Sequence, residues 1–187
     1  MGPLIIVSGP SGCGKSTILR RLLDEGAWPM RLSVSVTTRK PRKNEKQGVD
    51  YHFWSAADFV KERDQGGFLE WAEVHGNYYG TLEREVTPYR EKGLGVLLDI
   101  DVQGAAKVRT RCPDAVSIFV KTSRFETLEA RLRQRHTETE EAIQKRLNNA
   151  RAELARAGEY QHQLINDDLE AALASMRVIL GSLFPKE

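Results

Sequence analysis

Cysteine is scarce in this chain: 187 residues hold two, Cys13 and Cys112. One of them sits inside a glycine-rich loop, so a structural disulfide is not expected and a reducing cytoplasm is the natural home. Long apolar runs are missing too. None approaches the ~20 residues of a membrane span, and the first apolar strand begins almost at once, leaving no room for a secretory leader. Nor is there an excess of charge: 28 Lys and Arg stand against 26 Asp and Glu, a formal net charge of +2. That is too small to argue for nucleic acid as a partner. Repeats and low-complexity tracts are absent. What remains, 40% hydrophobic and 29% charged, fits one globular domain with a sizeable core.

The most informative stretch is Gly9-Pro10-Ser11-Gly12-Cys13-Gly14-Lys15-Ser16. It reads G-x-x-x-x-G-K-S, a phosphate-binding loop. The apolar run Leu4 to Val7 precedes it, and Lys15 to Glu25 follows with Ile18, Leu19, Leu22 and Leu23 on one helical face. Strand, loop and helix are the context the motif needs. Glycines let backbone N–H groups turn inward toward phosphate oxygens, and the helix N-terminus adds partial positive charge there. Lys15 would reach the β- and γ-phosphates, and the Ser16 hydroxyl would ligate Mg²⁺. A nucleoside triphosphate is therefore expected; the loop does not say what receives its phosphate.

Further along, Arg31 to Thr38 alternates and reads as one strand with a polar face. It runs into a basic, proline-containing turn with Arg39 and Arg42, either a phosphate clamp or a solvated loop. Tyr51 to Trp54 is a short strand candidate, and Ser55 to Asp58 looks like a helix start. Phe68 to Val74 alternates, with Glu70 and Glu73 open to reading as exposed strand charges; Gly76 to Thr81 reads as a turn with paired tyrosines. Residues 35–83 therefore look like a lobe hanging off an α/β core. A helix around Glu83 to Lys92 resumes the α/β pattern, and Gly95 to Asp101 is an apolar strand ending in acid, the arrangement in which Asp99 supports Mg²⁺. Asp101 either shares its face or caps the next helix. Ser123 to Glu126 and Thr137 to Glu140 both resemble capping boxes, opening two arginine-bearing helices. These could form a lid that brings Arg131, Arg135 and Arg146 onto phosphates, or a charged solvated hairpin. Asn166 to Asp168 caps a last amphipathic helix after the strand Gln163 to Ile165.

In this order the segments resemble guanylate kinases. The resemblance runs from Leu4 to about Leu180, through the loop Gly9 to Thr17, Ser35 to Arg42, Gly48 to Phe53, Phe68 to Ala72, Gly76 to Thr81, Leu98 to Gly104, the lid arginines and Ile165 to Leu169. It implies a three-layer α/β P-loop NTPase fold with a central parallel sheet, a small α+β lobe for the nucleoside monophosphate and a helical lid. The parts would be core 4–34, 84–122 and 150–184, lobe 35–83 and lid 123–149, within a domain spanning 4–184. The implied reaction is Mg²⁺-dependent transfer from ATP to GMP, giving ADP and GDP, in cytoplasmic purine metabolism, with neither nucleic acid nor membrane as partner.

By that resemblance Arg39, Arg42, Tyr51 and Tyr79 hold the phosphate of GMP, while Ser35, Glu70, Thr81 and Asp101 meet the guanine. Lys15, Arg39, Arg131, Arg135 and Arg146 would neutralise the transferring group. Gly9, Pro10, Ser11, Gly12, Cys13, Gly14, Ser16 and Thr17 would bind ATP, with Asn166 near its adenine and Ser16 and Asp99 at the metal. Three positions depart from the family pattern: Asn44 for a glycine, Val36 for a polar residue, and His136 for a small residue at the lid turn. Two other classes compete with this reading: a catalytically inactive guanylate-kinase-like binding module, against which the intact Lys15 and the lid arginines argue, and a kinase of the same fold with another phosphorylated acceptor, against which Ser35, Glu70, Thr81 and Asp101 argue.

Overall fold

The computed structural model describes residues 1–74, 76–134 and 139–184. Nine strands and seven α-helices follow one another among these residues. They are β1 (Leu4–Ser8), α1 (Lys15–Glu25), β2 (Met30–Leu32), β3 (Val36–Thr37), β4 (His52–Phe53), α2 (Ala56–Asp64), β5 (Phe68–Val74) and β6 (Asn77–Leu82). Then come α3 (Thr87–Glu91), β7 (Gly95–Asp99), α4 (Val102–Arg111), β8 (Val116–Lys121), α5 (Phe125–Arg133), α6 (Glu140–Leu154), β9 (His162–Ile165) and α7 (Leu169–Leu183). None of these helices is long and apolar enough to cross a membrane.

Five strands form a parallel sheet in the order β2-β7-β1-β8-β9. Its central strand β1 is fully buried, as continuous apolar strands in parallel sheets are. Side chains alternate across it: Ile5 and Val7 join one core with Ile18, Leu22, Leu147 and Met176, while Leu4 and Ile6 join another with Val102, Ala105, Val108 and Tyr160. Helices thus cover both faces, giving the three layers expected. The chain leaves β1 through α1 for β2 on one side of it and later crosses from β7 through α4 to β8 on the other, so a crevice opens beyond the carboxyl end of β1, where the phosphate-binding loop lies.

The second sheet has the order β4-β3-β6-β5 and is mixed. It packs on α2 through Val36, Phe59, Phe68 and Leu82, with Phe59 stacked between Phe68 (4.4 Å) and Tyr78 (5.2 Å). Ser55 caps α2 by accepting from the Asp58 amide, as its sequence suggested. From α4, Arg111 donates to the carbonyls of Phe68 and Leu69 and Lys107 donates to that of Trp71, so β5 is tied to the core.

Four local expectations change. Arg31 to Thr38 is two strands in two sheets: the Ser33 amide closes on the Leu97 carbonyl, and the chain then crosses to pair Val36 with Gly80. Asn77 to Thr81 is not a turn but most of β6, because β5 supplies an antiparallel partner. Ser123 does not cap α5; its amide donates to Asp167, and the cap position falls to Arg124 without a side-chain bond. Thr139 caps α6 by accepting from the Ala142 amide, while Thr137 lies outside the described residues.

Candidate active site

The loop after β1 keeps the conformation its glycines permit. Gly9 and Gly14 have φ of 144° and 90°, a region that side chains rarely adopt. A Cβ on Gly9 would also strike the Val120 carbonyl, and one on Gly14 the Asn166 amide. Cys13 is fully buried beneath the loop, and burial pushes its thiol up. Lys15 donates to the Gly9 carbonyl at 2.5 Å, folding its ammonium back over the loop. Burial works against that ammonium, but the neighbouring Cys13, Asp99 and Glu153 more than offset it, so it stays charged.

In front of the loop a cavity of about 300 Å³ runs toward the second sheet. Gly9, Ser11, Lys15 and Ser16 line its loop end, and Ser35, Tyr51, Glu70 and Tyr79 line the far side. Asp99, Ile100 and Asp101 form its floor at the end of β7. The Ser16 hydroxyl lies 3.4 Å from an Asp99 carboxylate oxygen, so the predicted metal pair meets.

Glu70 is 6% exposed, whereas Glu73, on the opposite face of β5, is exposed to solvent. The Glu70 carboxylate accepts from the Thr81 hydroxyl at 2.8 Å on one oxygen, and its other oxygen rests against α4 at Gly104. Burial pushes its pKa up to about 7, helped by the charge of Asp101 and opposed by the Thr81 bond and Lys107. Asp101 has resolved its two readings toward the helix cap: it accepts from the Gly104 amide at 2.8 Å and still borders the cavity.

Neither Arg39 nor Arg42 lines this cavity; Arg42 lines a neighbouring one that shares Ser16, Ser35, Tyr51 and Asp99 with it. Both nitrogens of the Arg39 fork bind Glu45, at 2.9 and 2.8 Å, and its guanidinium lies 5.5 Å from the Tyr51 ring centroid. The same carboxylate accepts from the Arg42 amide. Glu45 went unnoticed in the sequence; its place three residues after Arg42 and six after Arg39 was the available signal.

The other predicted residues do not gather at the cavity. Asn166 is buried behind the loop, donating to the Cys13 carbonyl at 2.7 Å, and the backbone of Asn166 and Asp167 takes both arms of Arg131. Arg131 therefore braces the loop's support and does not point at the cavity. Arg146 reaches the loop, with its guanidinium 3.3 Å from the Ser11 hydroxyl. Arg135 and His136 lie outside the described residues. Pro10, Gly12, Cys13, Gly14 and Thr17 shape the loop and the start of α1 without facing the cavity. Sequence reasoning missed Glu153 of α6, which lines the cavity beside Asp101.

The chain as a whole is similar to proteins of one family. The sequence model of the guanylate kinase family covers residues 1–183. A guanylate kinase of Rubrobacter xylanophilus is 49% identical over 96% of this chain and 93% of its own. Guanylate kinase 1 of rice is 49% identical over 95% of this chain, which spans about half (47%) of that longer protein. The crystal structure of guanylate kinase from Anaplasma phagocytophilum superposes with a TM-score of 0.81 at 33% identity, over 99% of this chain and 87% of that one.

Proposed function

The chain belongs to the guanylate kinase family, and on that premise we propose that it transfers the γ-phosphoryl group of ATP to GMP, reversibly, giving ADP and GDP. One observation carries the base specificity: a buried carboxylate, Glu70, held by Thr81 at the end of the cavity away from the phosphate loop. Guanine offers N1–H and N2–H₂ donors side by side, and an ionised carboxylate accepts both. Adenine presents an acceptor at N1, so the same carboxylate would face it with unpaired oxygens, a mismatch that sites of this kind reject by roughly 10⁴-fold.

The acceptor phosphate would lie against Tyr51 and Tyr79, with Arg39 and Arg42 as the clamp. It is already anionic, so no side chain need remove a proton. The chain's contribution is placement and charge: backbone amides and Lys15 hold the donor phosphates, and Arg146 approaches from α6. Ser16 and Asp99 offer the oxygen donors that Mg²⁺ takes beside a nucleotide, and the bound ion would neutralise phosphate charge. Residues 35–83 act as the lobe that carries GMP and 123–149 as the lid, closing together to exclude water. The cytoplasm, where GMP from purine turnover is rephosphorylated, is the setting that suits this chemistry.

The test is ADP release from ATP with GMP, AMP, CMP, UMP and ribose phosphates as acceptors. Turnover confined to GMP supports the reading. Turnover with a sugar phosphate would keep the phosphate loop and refute the guanine site; GMP binding without turnover would make the chain a binding module.

A further inference from the structure

The face of β1 that carries Leu4 and Ile6 ends in a hydroxyl. Ser8 is the third residue on that face, fully buried, at the last position of the strand before the phosphate loop. Leu4 and Ile6 pack there with Ile100, Val102, Ala105 and Tyr160, surroundings in which a hydroxyl is costly unless it is bonded. Ser8 donates to the Ile100 carbonyl at 2.7 Å, across 92 positions of sequence. Alanine would fill nearly the same space without the desolvation, so packing alone does not account for the hydroxyl.

What the bond holds is the segment that follows β7. Asp99, paired with Val7 and 3.4 Å from the Ser16 hydroxyl, precedes Ile100. Asp101, which caps α4 through the Gly104 amide at 2.8 Å, follows it. β7 ends at Asp99, so the sheet lends this segment little support. The Ile100 amide reaches the Val7 carbonyl only at 3.3 Å, beyond the usual range of an N–H···O bond. The 2.7 Å bond from Ser8 is therefore the tighter of these two ties to β1. Ser8 also directly precedes Gly9, whose carbonyl takes the Lys15 ammonium. One side chain thus joins the root of the phosphate loop to the residue after Asp99.

We propose that Ser8 is a positioning residue for phosphoryl transfer: its bond to the Ile100 carbonyl holds the Asp99 carboxylate opposite the Ser16 hydroxyl. The inference rests on the reading of Ser16 and Asp99 as the oxygen donors for Mg²⁺ beside the donor phosphates. Ser8 lines no part of the cavity and acts through Asp99, at the junction where the phosphate loop and β7 part. Without the hydroxyl, the Ile100 carbonyl loses its donor and Asp99 is left on a segment held by the 3.3 Å backbone bond and the Asp101 cap.

The experiment is a double-mutant cycle on Ser8→Ala and Asp99→Asn, with Ile6→Val as a control that removes apolar volume from the same face of β1 and no polar group. Rates are read across Mg²⁺ concentrations, and ATP binding is measured by calorimetry with and without Mg²⁺. Ser8→Ala is expected to lower kcat about 5–10-fold, the worth of one hydrogen bond, and to raise the Mg²⁺ needed for half the maximal rate. Its ATP affinity without Mg²⁺ should match the wild type's, while the gain in affinity on adding Mg²⁺ should be smaller. In the Asp99→Asn background the same substitution should change kcat by no more than about 2-fold. Ile6→Val should lower Tm yet keep the wild-type kcat and Mg²⁺ dependence. Full additivity of the two losses overturns the proposal, as does wild-type Mg²⁺ dependence in Ser8→Ala, or the same kinetic loss in Ile6→Val. If Ser8→Ala does not fold, Ser8→Cys, which keeps a weak donor, is read in its place against the same outcomes. Absence of GMP turnover by the wild type would refute the functional reading instead, and the Mg²⁺-dependent gain in ATP affinity would still decide this inference.

Discussion

A single methyl group added at Gly104 is expected to separate the stability of this fold from its recognition of GMP. Gly104 lies in the first turn of α4, where a Cβ would sit 2.6 Å from one Glu70 carboxylate oxygen, 3.0 Å from the carboxylate carbon and 3.3 Å from an Asp101 oxygen. Ordinary contact begins at 3.4 Å, so the Glu70 oxygen must retreat by about 0.8 Å, the difference between 3.4 and 2.6 Å. It has little room to do so, because its partner oxygen is bonded to the buried Thr81 hydroxyl. For the helix itself alanine is the better residue, by about 0.8–1.0 kcal/mol. Overpacking costs about 1–3 kcal/mol, so the net loss is at most ~2 kcal/mol, or roughly 4–8 °C in Tm at this chain length. Misplacing a recognition group by nearly 1 Å costs far more in turnover, on the order of 10²-fold in kcat/KM. Gly104→Ala should therefore retain a cooperative melt and its affinity for ATP, while kcat/KM for GMP falls about 100-fold. Coupled ADP release against GMP concentration, with calorimetric titration of ATP, reads both. GMP kinetics like those of the wild type would refute the placement of Glu70 against α4.

The remaining predictions concern protons and the loop. With Glu70 raised to about 7 by burial, next to Asp101 and Lys107, GMP binding requires the ionised form that lower pH removes. KM for GMP should rise as pH falls through about 7, while KM for ATP should not follow it. Glu70→Gln, which raises KM at every pH, should lose that component; a slope equal to the wild type's would exclude Glu70 as its origin. Because the folded acid holds its proton where the unfolded one does not, ligand-free stability should fall as pH rises from 4.5 to about 7, and urea unfolding of Glu70→Gln should show a flatter trend. Asn166→Ala leaves the Cys13 carbonyl without its donor, at a cost of about 1–3 kcal/mol. It should lower Tm and weaken ATP about 10-fold by loosening the loop; unaltered ATP affinity would mean the loop keeps its shape unaided.

Residues whose chemistry depends on local spacing were legible in the chain. The phosphate loop, Asp99 at the end of an apolar strand and the helix caps at Ser55 and Asp168 each act through neighbours within a few positions. Elsewhere local pattern misled. Arg31 to Thr38 alternates as one strand would, yet its halves serve different sheets, because partners far along the chain, Leu97 and Gly80, compete for it. Ser123 and Glu126 have capping-box spacing, but Asp167, more than forty residues away, takes the Ser123 amide.

The sequence by itself determined the α/β class, the phosphate loop and, through its family pattern, the set of residues proposed to surround a nucleotide. Those depend on periodicity and short spacings that survive in one dimension. Tertiary structure alone decided that Glu70 is buried and Glu73 exposed, that Arg131 and Asn166 brace the loop from behind, and that Glu153 enters the cavity. Burial, desolvation and the partners that satisfy a charge come from segments distant in the chain, so they exist only once the sheets and helices have packed.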